Sequence, residues 1–112
     1  MPKKFGLAAS DIKQLAPGHG ACLATDHITV DMRPVRFMYR DLPDNDVDSG
    51  WRFFSGEETQ QYVDDPANSG IYNVNTIANY DPAIIPHLEA PVFSAFERSQ
   101  DTNEFVAVAL AQ

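Results

Sequence analysis

The sequence predicts an α+β domain: a mainly antiparallel sheet of about five strands with two or three short helices. Three observations lead there. The 112 residues fit a single domain, 1–112, and 44% of them are hydrophobic, enough for a core without metal or disulfide support. Short runs with apolar alternation of period two recur along the chain. The helical stretches between them are too few and too short for the strand–helix–strand rhythm of a parallel sheet.

Residues 1–19 read as an N-terminal helix and lead-in, with Ser10 capping Asp11 to Leu15 and Pro17-Gly18 stopping it. Residues 20–98 form the core. Ala21 to Ala24 is a first strand, and Asp26-His27 a turn or bulge before Ile28 to Val30. In the strand Val35 to Arg40, alternation puts Val35, Phe37 and Tyr39 on one face and Arg36, Met38 and Arg40 on the other. Asp41 to Gly50 is an acidic loop, and Trp51 to Phe54 a short strand with Trp51 and Phe53 on one side, Arg52 and Phe54 on the other. Ser55 and Glu58 have the spacing of a capping box, which predicts a helix to about Val63, ended by Pro66. Ile71 to Ile77 is expected as a strand. Asp81-Pro82 opens a helical turn with proline at its first position. Val92 to Glu97 is the next strand. Residues 99–112 contain the last strand, Phe105 to Ala109, whose small and large apolar residues could pair two chains, so the expected state is monomer or homodimer.

Cys22 is the lone cysteine, so no internal disulfide forms. The first ten residues lack the apolar length of a signal peptide, and no run approaches a membrane span. The expected location is cytoplasmic. Net charge is −8 and unevenly placed: residues 1–40 carry six Lys/Arg and three Asp (+3), residues 41–112 two Arg and thirteen Asp/Glu (−11). Such a chain repels nucleic acid and anionic lipid and attracts basic protein, so neither nucleic acid nor membrane is an expected partner.

Asp44, Asp46 and Asp48 alternate as in a calcium loop. Counting from Asp44, however, the sixth and twelfth residues are Ser49 and Ser55; counting from Asp46, the sixth is Trp51. The glycine and glutamate that such a loop needs never coincide. His19, Cys22, His27 and His87 lack the paired spacing of a zinc site, and no nucleophile elbow or glycine-rich phosphate loop occurs. No metal, no cofactor and no catalytic residue is expected. The candidate partner surface is Asp44, Asp46, Asp48, Trp51 and Arg52. Trp51 is equally a core anchor at a strand start, and Arg52 equally a clamp on a loop aspartate. A second candidate is a small-molecule pocket near residues 75–82, lined by Asn75, Asn79, Tyr80 and Asp81. Turn-making asparagines bonded to backbone would give the same pattern.

Two runs carry a family resemblance: Asp48-Ser49-Gly50-Trp51-Arg52-Phe53-Phe54-Ser55-Gly56-Glu57-Glu58, and Gly70 through Pro82 with Asn75, Asn79, Tyr80 and Asp81. Over roughly residues 20–98 the chain resembles a bacterial domain family first catalogued as of unknown function. That family is also described as the thirty-third predicted immunity protein class of polymorphic-toxin systems. Met32 and Arg36 stand where the resemblance leads one to expect smaller residues, often glycine. The resemblance implies an α+β fold and a non-enzymatic protein that neutralises a toxin by occluding it. An acidic loop beside aromatic and arginine side chains is the surface expected to meet a basic toxin.

Overall fold

The computed structural model describes residues 3–110. Met1, Pro2, Ala111 and Gln112, which the sequence assigns to the lead-in and the C-terminal segment, lie outside the described residues. Six strands, Ala21–Thr25 (β1), Phe37–Arg40 (β2), Asp48–Phe54 (β3), Ser69–Asn73 (β4), Ala95–Arg98 (β5) and Phe105–Val108 (β6), form one sheet. Their order is β4-β1-β3-β2-β5-β6. Only β1 and β3 run parallel; the other four neighbouring pairs are antiparallel. The α+β class is therefore as the sequence predicts, with a sixth strand.

One face of this sheet holds the core. Cys22 and Ala24 of β1, Met38 of β2 and Trp51 and Phe53 of β3 are fully buried. They pack with Val74, Ile77 and Ala78 of Val74–Tyr80 (α3), Ile28 of Asp26–Thr29 (α1), and Ile84 and Leu88 of the segment beginning at the 3-10 turn Pro82–His87. The alternation holds within β2 and β3, where Met38 faces in with Phe53 while Phe37 and Tyr39 share the outer face with Phe54 and Arg52. Val35, expected on the side of Phe37 and Tyr39, lies before β2 and is buried in the core instead.

Four sequence expectations are corrected, besides strand ends: β2 starts at Phe37 and not Val35, and β3 at Asp48, inside the segment expected as loop. The first helix shrinks to the 3-10 turn Ala9–Asp11, capped from Ala8 and not from Ser10. The amides of Lys13, Leu15 and Ala16 bond to Asn79 and Asn75 side chains and so leave the helix pattern. Ile28 to Val30 belongs to the helical turn of α1, not to a strand, because burial of Ile28 and Thr29 and the bonds of Val30 N and Asp31 N to Asp26 O close a turn there. The helix expected from Ser55 starts late, at Gln60–Asp64 (α2), capped by Thr59. Gly56, at φ +87, breaks the helical path after Ser55. The Glu58 carboxylate does accept from Ser55 N, but Ser55 Oγ accepts from Glu57 N, so the box closes a loop.

The fourth correction matters most. Ile71 to Ile77 is not one strand: β4 ends at Asn73, whose side chain accepts from Asn75 N and caps α3. Val74, Ile77 and Ala78 then recur at i, i+3 and i+4, the helical spacing. Asp81 does cap the following turn, with Pro82 at its first position. Strand β5 begins at Ala95, since Phe93 sits at φ +75 in a turn. Met32, at φ +62, occupies a left-handed position that favours glycine.

Candidate functional site

The five residues of the first candidate surface separate by role. Asp44 and Asp46 are exposed on the loop between β2 and β3, Asp44 with 82% of its side chain in solvent. Asp48 is not: its side chain is 9% exposed and grips Arg52 through two bonds, of 3.0 and 2.9 Å. The Arg52 guanidinium holds the Asp48 carboxyl far below the usual carboxylate range, and Asp48 in turn raises Arg52. Asp48 also accepts from the amides of Asp44 and Gly50, so it orders the loop. Gly50 needs to be glycine: at φ +89, a Cβ would strike the carbonyl of Asp41. Trp51 is fully buried and donates its indole N–H to Leu88 O at 3.2 Å. Trp51 is therefore a core anchor and Arg52 a clamp. Both are buried in this structure, and of the five residues Asp44 and Asp46 are the exposed ones.

The second candidate set is also occupied. Asn75 accepts from Leu15 N and Ala16 N, both at 2.8 Å, and donates to Lys13 O. Asn79 accepts from Lys13 N and donates to Lys13 O and Asn75 O. The Tyr80 hydroxyl accepts from Leu7 N. Asp81 takes Val35 N and Ala83 N and binds Arg98 bidentately. These four side chains fasten the N-terminal segment and β5 to the core. The two concave surfaces described next are lined by other residues.

The uncovered face of the sheet carries what the sequence reading left out. Phe37, Tyr39 and Phe54 form a cluster there, with ring centroids 5.8–6.0 Å apart and Tyr39 stacked on Phe54 at 7°. They floor an open concavity of about 1200 Å³, continued by Val106 and Val108 of β6 and Val63 of α2. Glu57 and Glu97 stand exposed at its rim. Asp44 reaches the same face, 3.5 Å from Arg52. A smaller apolar groove beside it is lined by Leu23, Val63, Pro66 and Ile71. The alternation in Val35 to Arg40 put Phe37 and Tyr39 together; no sequence signal says that helices cover the opposite face.

A polar knot borders the concavity. Ser55 Oγ lies 2.8 Å from His27 Nδ1, and the Glu58 carboxylate takes the Thr25 hydroxyl and the Ser55 and Gly56 amides. Burial pushes Glu58 up, but the Thr25 hydroxyl and the amides outweigh it and keep the carboxyl below its ordinary value. The His27 ring lies against Tyr62, with centroids 4.4 Å apart. The set has the composition of a Ser-His-Glu triad without its geometry. Serine and glutamate approach the same ring nitrogen, whereas a triad acid orients the opposite one. Ser55 is also buried. The knot ties α1 to the lead-in of α2. Burial pushes the Cys22 thiol up, away from the reactive thiolate. Among the described residues, no three His, Cys, Asp or Glu side chains converge as metal ligands.

Comparison with known families finds a match to the one described as Immunity protein Imm33 domain, over residues 22–109, most of the chain and the whole sheet but for Ala21. No curated protein and no solved structure matches.

Proposed function

Because the chain belongs to the immunity protein Imm33 domain family, we propose that it is a non-enzymatic cytoplasmic module that neutralises a basic toxin by covering it with the open face of its sheet. The observation that carries this reading is the uncovered aromatic cluster of Phe37, Tyr39 and Phe54 at the centre of a carboxylate-rimmed concavity. Aromatic side chains supply large contact area at small entropic cost, and contiguous apolar surface on a soluble domain marks an interaction site. Glu57 and Glu97 line it beside Arg36 and Arg98, Arg33 lies 3.5 Å from Glu57, and the exposed Asp44 stands near Arg52; with the net charge of −8, these carboxylates favour a basic partner. The polar groups that a catalytic reading would use are bonded internally or buried.

The test is capture of partners from native lysate on wild-type protein and on a Phe54→Ala, Tyr39→Ala variant shown to be folded. Each retained protein is then expressed alone and with this chain. The expected result is a basic protein that arrests growth, is relieved by wild type, and is relieved poorly by the variant. Relief of equal strength by the variant would remove the aromatic face from the contact. If every retained protein is harmless, the toxin reading fails.

A further inference from the structure

We infer that β6 is the docking edge for an extended, basic segment of the partner, which joins the sheet as a seventh strand and lays its outward side chains over the concavity. The inference deepens the toxin-binding reading and rests on it.

The two edges of the sheet are treated differently. On the β4 side the N-terminal segment lies across the edge: Lys3 Nζ donates to Ser69 O at 3.0 Å, Gly6 N to Thr29 O at 2.8 Å, and Phe5 packs on Tyr72. At the other end β6 reads Phe105-Val106-Ala107-Val108, with no charge, no proline and no bulge. Those are the devices by which soluble proteins protect a free strand edge.

The ladder fixes which groups are free. Arg98 N donates to Arg36 O and Arg40 N to Ser94 O, so in β5 the residues Ser94, Phe96 and Arg98 bond toward β2. Ala95, Glu97 and Ser99 therefore bond toward β6, as Ser99 N to Glu104 O shows. Val106 and Val108 are thus paired to β5, while the N–H and C=O of Phe105 and Ala107 point away from the sheet. Among the described residues, nothing bonds to them. Unpaired main-chain groups in a row are the template for strand addition.

Position and charge select the occupant. Val106, 49% exposed, and Val108 line the concavity, so a strand beside them continues its floor. Glu97 lies one strand further in, across the ladder from Val106, and Asp101 and Glu104 lie at the turn between β5 and β6, so a lysine or arginine that reaches over the valines or sits at the turn end meets carboxylates. A second copy of this chain fits less well. Each copy carries −8, and two four-residue edges cover far less than the roughly 1,200 Å² of a stable interface. A partner that spans both edge and concavity reaches that size.

The test uses the whole protein and a blocked ten-residue peptide alternating valine and lysine as probe, with a valine–glutamate peptide as control. Ala107→Pro removes an N–H that the fold does not use, at an edge position that tolerates proline. Val106→Lys leaves the backbone intact and repels the probe. The expected result is slowed hydrogen exchange at the Phe105 and Ala107 amides on adding the lysine peptide, weakened by salt. Either substitution should loosen the probe about tenfold, on the order of what a lost main-chain hydrogen bond or an added like charge amounts to. No binding, protection elsewhere, or binding indifferent to both substitutions overturns the inference. So does concentration-dependent dimerisation that protects the same amides without peptide. In the growth assay, relief by Ala107→Pro equal to wild type removes the strand addition and leaves toxin binding standing. Seating of the peptide at Phe105 and Ala107, with no toxin relieved, does the reverse.

Discussion

Replacing Asp81 by Asn is expected to cost about 3–5 kcal/mol, the range for breaking a buried ion pair from one side. Arg98 would keep its charge inside the protein with Phe105 against its guanidinium and no carboxylate to answer it. Urea unfolding measures the loss; a change within error of zero would mean that water or another group already compensates Arg98. Acid should destabilise in two stages. Burial against Phe96 and Phe105 lowers His87 below its ordinary 6.5, so the unfolded chain takes up a proton that the fold refuses. That contribution is full above the ordinary histidine range and is lost as pH falls through it. Asp48, held low by Arg52, contributes fully above its unfolded value near 3.8 and loses this as pH falls further, toward its folded value. Thermal melts from pH 7 to pH 2 should show both declines, and Asp48→Asn should flatten the lower one. An unchanged acid slope in that variant would place the acid sensitivity in other carboxylates.

At the level of elements, α3 shows where the sequence stops being legible. Trp51 to Phe54, Phe37 to Arg40 and Phe105 to Val108 announce themselves by alternation, because each side of a strand meets one environment. Val74 to Tyr80 does not. Its β-branched and asparagine content reads as strand and turn, and its helical period is only two turns long. What makes it a helix is tertiary: Val74, Ile77 and Ala78 cap the core, and Asn75 and Asn79 find partners sixty residues away in the N-terminal segment. The side chains expected to line a pocket around Asn75 are bonded to the N-terminal segment instead, and this was hidden for the same reason: a side chain's partner is invisible when it lies across the fold. Asn75→Ala should test this link. It strips the acceptor from Leu15 N and the buried Ala16 N and should cost about 2–3 kcal/mol, even though alanine favours the helix itself. Hydrogen exchange should speed up at Leu15 and Ala16 first. Faster exchange confined to α3 would show instead that the asparagine serves its own helix.

Over the whole molecule, the charge distribution was legible from composition, but not which charges are free. The surplus of acid beyond residue 40 includes Asp48 and Asp81, both neutralised inside by Arg52 and Arg98. What reaches a partner at long range is the exposed remainder, and Asp44 and Asp46 stand out from the β2–β3 loop beside the open sheet face. Charges so placed act on encounter more than on the final contact. The double variant Asp44→Asn, Asp46→Asn should therefore slow association with the captured partner about two- to fivefold at low ionic strength and flatten its salt dependence, with dissociation nearly unchanged. Asp48→Asn is the contrasting case. It should lower stability by leaving Arg52 unanswered and should alter the on-rate only through the disordered loop. Stopped-flow association across a salt series separates the two. If the double variant speeds dissociation at an unchanged on-rate or leaves the salt slope intact, the loop carboxylates do not steer, and the attraction resides in Glu57 and Glu97 beside the concavity.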